Sequence, residues 1–251
     1  MLSGVATVAF LTLVAKGMSF FKDAAVAHRF GTSDVLDAFL LSFSLLSFLA
    51  AVIGGGLPEA FLPAYAQLRH RRGHQRAQRL AIQASLWNLS VLSALAILVY
   101  GSAPFIIGFT GRGFSEEKQT LAIGALRSLI PFLIFYGLSF HLSNWLRADK
   151  RFVIAASAPM LAPVVIFLCL LMAGQGATAE TLVMGTNVGV FLQFLVLVFA
   201  VHRQMGPIPK HCFRLWEPAN RVVLGNAFPY LMGGLITVSY THLTLPTKRI
   251  V

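Results

Sequence analysis

The chain has 251 residues, 57% of them hydrophobic and only 12% charged, with a formal net charge of +11 and a mean hydropathy of +0.74. So few polar residues cannot coat a globule of this size, which excludes a soluble domain and places the chain in a bilayer. The apolar runs lack the alternation that outer-membrane barrel strands need, and two cysteines, Cys169 and Cys212, cannot build a disulfide framework or a metal site.

A hydrocarbon core of ~30 Å takes ~20 helical residues to cross. Runs of that kind occur at 4–28, 34–67, 79–108, 119–146, 152–173, 178–201 and 221–238, predicting an all-α polytopic membrane protein of about seven transmembrane segments. Segment 1 opens with "MLSGVATVAFLTLVA", which has no basic start and runs on past Lys16, so it reads as a retained helix rather than a signal peptide. It then places Lys16, Lys22 and Asp23 in one helix. Residues seven apart lie nearly in line, so Lys16 and Asp23 share a face, while Lys22 points ~100° away from Asp23. The sector is broad enough to line a cavity and too broad for one salt bridge, and its cationic balance suits an anionic ligand. The competing reading has Lys22, Asp23, His28 and Arg29 marking the emergence of the helix at a headgroup layer. Lys16, midway along the run, fits that reading less well.

Segment 2 begins at "TSDVLDAF", with Asp34 as N-cap and Asp37 in the first turn, where carboxylates favour the positive end of the helix dipole. Asp37 is equally well a partner for the segment 1 cations. Further along, "GGGLPEAFLP" puts Gly54, Gly55, Gly56, Pro58 and Pro63 inside an apolar helix, so a kink or an unwound hinge is expected there, with Glu59 beside it. A static packing kink and a surface position for Glu59 are the alternatives. A basic stretch follows between segments 2 and 3, with Arg69, Arg71, Arg72, Arg76 and Arg79, and His70 and His74 read as part of a solvated loop. Arg127 lies early in segment 4, four residues before Pro131, and reads as a snorkelling side chain or a cavity residue.

The remaining basic clusters are Arg147, Lys150 and Arg151 between segments 4 and 5, and Arg203, Lys210, Arg214 and Arg221 between 6 and 7. The intervening connections are poor in charge, so the positive-inside rule puts the N-terminus and the 2/3, 4/5 and 6/7 connections in the cytoplasm. The basicity is thus a topology signal, some of which can hold anionic headgroups of membrane lipids, and not a nucleic-acid footprint. No Walker A loop, nucleophile elbow or HExxH occurs, and the nine acids form no pair near a histidine cluster, so neither an enzyme nor a cofactor is expected.

The residues Lys16, Phe20, Phe21, Lys22, Asp23, Ala24, Ala27, Phe30 and Gly31, then Asp37, Ala38 and Phe39, then Ala60, Phe61 and Pro63, follow a recurrent pattern. It resembles R-x-x-G-F-x-R-D-A-x-x-A-x-x-F-G, T-D-A-F and A-F-x-P of the MurJ/MviN family of lipid II flippases, within the multidrug/oligosaccharidyl-lipid/polysaccharide exporter superfamily. The likeness extends through "GFSEEK", "IPF" and "RFVIAASAPMLAPV" to about residue 237. It implies a fourteen-helix transporter of two six-helix lobes in the bacterial inner membrane, whose cationic cavity moves a polyprenyl-pyrophosphate-linked saccharide between leaflets. On this resemblance Lys16 and Lys22 replace two cavity arginines, and Asp23 and Asp37 keep the family's acids. "SLLSFLAAVI" lacks the family's further arginine and "GG" stands for "EG", so lipid II and an exopolysaccharide precursor are both open as substrates. An ion-coupled multidrug antiporter of the same superfamily and a non-transporting membrane scaffold are the alternatives.

The resemblance implies an N-terminal six-helix lobe at 1–203, a cytoplasmic linker at 204–220 and the start of a seventh helix at 221–237, with a C-terminal lobe as the missing partner. The closing "VSYTHLTLPTKRIV" turns polar where an apolar run should continue. It resembles the read-through of a transposon-type sequencing adapter, so 238–251 is expected to be foreign.

Overall fold

A computed structural model describes residues 2–205, together with the single helical positions 225 and 229; for residues 2–5, 55–59 and 175 only the backbone is described. Within that range the chain is a bundle of helices: α1 (Leu2–Phe30), α2 (Asp34–Arg72), α3 (His74–Thr110), α4 (Glu116–Ser128), α5 (Ile130–Ala148), α6 (Phe152–Ser157), α7 (Leu161–Ala173) and α8 (Ala179–Gln204). A 3₁₀ turn at Ala158–Met160 joins α6 to α7, and another, Gly174–Gly176, follows α7. By length and apolar composition α2 up to Gly54, α3, the stretch Phe152–Ala173 and α8 are each able to cross a membrane, and α4 with α5 makes a fifth span bent by 47°. The 29 residues of α1 exceed the ~20 that a crossing requires. The protein is a multi-pass α-helical membrane protein of the expected class.

The helix ends follow local chemistry. Gly31, at φ +53°, turns the chain out of α1, and the Ser33 hydroxyl accepts from the Leu36 N–H at 3.3 Å. The N-cap is therefore Ser33 rather than Asp34, which becomes the first helical residue. Between α2 and α3 only Gly73 interrupts the helices, at φ +84°. The expected basic loop is thus two helical ends, because this glycine makes the turn alone and Arg69, Arg71, Arg72 and Arg76 stay on helical backbone.

Proline placement explains two further departures. The expected single helix over 119–146 breaks at Leu129, since Pro131 lacks an N–H and would clash with the Arg127 carbonyl in a continuous helix. In an unbroken helix the Phe132 N–H would donate to the Ser128 carbonyl. Here the Asn187 side chain from α8 takes both roles, accepting from Phe132 N–H at 3.1 Å and donating to the Ser128 carbonyl at 2.9 Å. Pro159 and Pro163 likewise divide the segment expected at 152–173 into α6, a 3₁₀ turn and α7.

The segment containing Gly54, Gly55, Gly56, Pro58 and Pro63, by contrast, stays helical without a break, so the expected unwinding does not occur. Gly54 serves close packing instead. A Cβ there would stand 2.6 Å from the Gly137 Cα of α5. Keeping the helix intact also avoids freeing backbone groups where lipid offers no partner.

The core divides along the bundle axis. One cluster joins Leu46 and Ala50 of α2 to Ala103 and Ile107 of α3, Leu126, Phe132 and Leu133. The other joins Phe61 and Tyr65 to Leu80, Trp145, Leu146 and Leu197. At the second cluster's end Trp145 Nε1 donates to the Tyr65 hydroxyl at 3.2 Å, and that hydroxyl donates to Asp149 Oδ1 at 2.9 Å. Arg69 pairs with the same carboxylate. The 2/3 and 4/5 basic clusters therefore sit at one end of the bundle.

Candidate functional site

Where α1 approaches α6 and α7 it leaves a half-open cavity of about 310 Å³, bordered also by α2, α5 and α8. The α1 wall contributes Lys16, Ser19 and Lys22, and the facing wall contributes Tyr136, Thr186 and Gln193, with Phe43 and Phe132 completing the apolar part. Lys16 and Lys22 are thus brought together in one cavity, whereas Asp23, which helical spacing put on the same face as Lys16, does not line it. No acidic side chain lines this space.

The lysines differ in their surroundings. Lys22 Nζ lies 2.6 Å from Asp23 Oδ1, its side chain 23% exposed against 67% for the acid. Although the two point ~100° apart, four flexible methylenes carry the Lys22 ammonium round to its neighbour, and the three residues together still do not form one salt bridge. Lys16 has no ion-pair partner among the described residues. The cavity therefore holds one uncompensated ammonium and a second whose charge is partly balanced at the rim by Asp23.

Asp37 lies elsewhere. Lys118, at the start of α4, donates to Asp37 Oδ2 at 2.6 Å and approaches Asp34 Oδ1 at 2.8 Å, with its ammonium 4.5 Å from the Phe114 ring centroid. This cluster ties the 1/2 and 3/4 connections together, and it does not join Lys16 or Lys22. Arg127 also stands apart from the cavity. Its guanidinium lies 5.2 Å from the Tyr100 ring centroid, and Nε donates to the Tyr100 carbonyl at 3.4 Å. Gly54 is at a helix contact, and of Gly55, Gly56, Pro58 and Glu59 only the helical backbone is described. Among the described residues no group of three His, Cys, Asp or Glu side chains converges to hold a metal ion.

Sequence reasoning missed the far wall. Gln193 is 4% and Thr186 1% exposed, and each is a polar residue inside the largely apolar run "LVMGTNVGVFLQFLVLVF", the signal that marks a side chain kept for a cavity or an interhelical bond. Asn187 at the α4/α5 break carries the same signal.

The family model described as lipid II flippase MurJ matches residues 26–245. A probable lipid II flippase MurJ of Buchnera aphidicola subsp. Schizaphis graminum is 28% identical over 163 residues, which is 64% of this chain and 32% of that protein. Lipid II flippase MurJ of Burkholderia cenocepacia is 28% identical over 161 residues, 62% of this chain and 31% of its own length. The chain thus spans about a third of the length of these curated relatives. Among solved structures, lipid II flippase MurJ in an inward closed conformation gives a TM-score of 0.73 at 22% identity, covering 91% of this chain and 47% of that one. A transporter of the MOP superfamily from Pyrococcus furiosus, described as having a binding pocket of reverse polarity, gives 0.76 at 14% identity over 92% of this chain and 52% of its own. These structural likenesses establish the shared fold and do not choose among its substrates.

Proposed function

The chain belongs to the family described as lipid II flippase MurJ, and from that membership we propose that it is one lobe of a flippase carrying a polyprenyl-pyrophosphate-linked saccharide from the cytoplasmic to the outer leaflet. The saccharide is lipid II or an exopolysaccharide precursor, and the membrane is the bacterial inner membrane with the N-terminus in the cytoplasm. The observation that carries the proposal is that Lys16 and Lys22 line one cavity with no acid in its walls.

A pyrophosphate entering that cavity meets the free ammonium of Lys16 first. It then draws Lys22 from Asp23, which is half released to water and holds the lysine in place when the site is empty. Asp23 thereby offsets part of the binding energy and helps release. Lysine supplies point charge without the bidentate fork of arginine, so the site holds phosphate less rigidly than an arginine pair would. Gln193, Thr186 and Tyr136 offer neutral hydrogen bonds to the rest of the headgroup. Asp37, held by Lys118, acts by fixing the connections of the lobe rather than by touching the ligand. The opposite cavity wall is supplied by a second lobe, so this lobe by itself binds weakly and does not transport. A carboxylate-lined cavity for cationic drugs, the superfamily alternative, has no support in these walls.

The test is made on a complete protein carrying this lobe. Lys16→Ala with Lys22→Ala should weaken binding of an undecaprenyl-pyrophosphate glycan by ~100-fold, from two lost charge-assisted hydrogen bonds, and abolish flipping in proteoliposomes. Lys16→Arg with Lys22→Arg should retain both. Unchanged binding and flipping in the alanine variant would overturn the assignment.

A further inference from the structure

We propose that a second anion site, separate from the lysine cavity, lies at the basic end of α6 and α8 and holds the phosphate of an anionic phospholipid between Arg151 and Arg203. The two arginines line one pocket of about 510 Å³ with Ser157, Val196, Phe199 and Gln204. It shares no residue with the lysine cavity.

Three observations fit a lipid headgroup there. First, no acidic side chain lines the pocket, and among the described residues neither arginine has an ion-pair partner. The nearby acid Asp149 is buried and taken by Arg69 and Tyr65, so it does not neutralise them. Second, the Arg203 guanidinium carbon lies 4.8 Å from the Phe199 ring centroid, which holds the group over the pocket wall. Two arginines lining one space supply the donor set that grips a phosphate through paired N–H bonds. Third, the site opens onto an apolar track. Val188, Leu192, Val196 and Phe199 are all exposed, and at intervals of four, four and three residues they form one stripe of α8 that ends at Arg203. A soluble phosphate would use only the arginines, whereas a phospholipid uses both features, with its head between the guanidiniums and an acyl chain along the stripe.

The test uses the 251-residue chain reconstituted in nanodiscs of phosphatidylcholine with a minor share of phosphatidylglycerol. Native mass spectrometry then counts the lipids that stay bound after release. Retained phosphatidylglycerol should be enriched over its share in the disc. Arg151→Gln with Arg203→Gln should lower that retention by roughly tenfold or more, while Arg71→Gln with Arg72→Gln, at the same end, should leave it unchanged. Ser157→Trp keeps both charges but fills the pocket, and it should also release the lipid; it carries the test if the double arginine variant does not fold. Equal loss in both arginine pairs would mean diffuse charge and overturn the site, as would retention in Ser157→Trp. Displacement by millimolar inorganic phosphate would mark a site for a soluble anion and overturn the lipid assignment.

Discussion

Asn187 replaces a single helical hydrogen bond with two of its own, and the break between α4 and α5 depends on it. Its amide accepts from the Phe132 N–H and donates to the Ser128 carbonyl, the pair that a continuous helix would have joined directly. Removing the amide leaves two backbone groups without partners in an apolar setting, where each costs about 1–3 kcal/mol. Asn187→Leu should therefore lower the unfolding midpoint in detergent clearly, and Asn187→Asp, which keeps the acceptor for Phe132, should lower it less. A Leu variant as stable as the parent would mean that Pro131 alone holds the break. In the sequence Pro131 and Arg127 were both visible, yet their spacing was read only for charge. The partner for the freed backbone lies 55 residues away, and no local pattern announces a contact of that range. The lysines are a different case: helical geometry marked a sector spanning Lys16, Lys22 and Asp23, and the structure puts the two lysines on the cavity and leaves Asp23 out of its lining. What geometry could not supply was the reach of the Lys22 side chain to Asp23.

At the scale of elements, the bundle is held by small residues where two helices approach most closely. Gly54 of α2 meets Gly137 of α5, and Gly189 of α8 meets Ala162 of α7, where a Cβ would come within 2.8 Å of the Ala162 Cα. In each case the obstacle is backbone, so the helices themselves must separate. Gly54→Ala and Gly189→Ala should each lower the unfolding midpoint, with a cost of about 1–3 kcal/mol for forced repacking. Gly17→Ala, with nothing within 4 Å of its Cβ, should be neutral or stabilising by up to ~1 kcal/mol. Equal effects at Gly54 and Gly17 would show that the close contacts do not limit stability. The pattern was partly legible: Gly185 and Gly189 make a GxxxG pair and Ala50 with Gly54 a looser version, the spacing that lets membrane helices approach. The glycines and prolines of α2 had instead been read as a kink or an unwound hinge, with a static packing kink as the alternative. In the structure the backbone there stays helical, and Gly54 becomes contact surface against Gly137. The six membrane-length segments were legible because apolar length decides them, while the breaks within two of them follow prolines, and only the α4/α5 break has a tertiary partner, Asn187, for its freed backbone groups.

For the whole molecule, the strongest global inference is orientation, because the described basic residues of three separated clusters converge on one end. Arg69 of α2 pairs with Asp149 beside Arg147 and Lys150, and Arg151 shares a pocket with Arg203 of α8. The opposite end carries the compensated cluster of Asp34, Asp37 and Lys118. The positive-inside bias acts on such clusters near the ends of spans, and their gathering at one end gives it a single direction. The linker, the seventh segment and the polar tail proposed for 204–251 lie almost wholly outside the described residues, Gln204, Met205 and the single positions 225 and 229 apart, so orientation rests on the six preceding segments. His74 marks the basic end and Gly176 the other, and both are exposed. In a background with Cys169 and Cys212 replaced by Ser, a cysteine at position 176 should react with a membrane-impermeant maleimide added to intact cells. A cysteine at position 74 should react only after the membrane is opened. The reverse pattern would invert the lobe and place Arg151 and Arg203 in the outer leaflet. It would also send the proposed substrate into its lysine cavity from the wrong side. Labelling of both positions in intact cells would deny a single orientation, and with it the premise that the basic end faces the compartment where the lipid-linked saccharide is made.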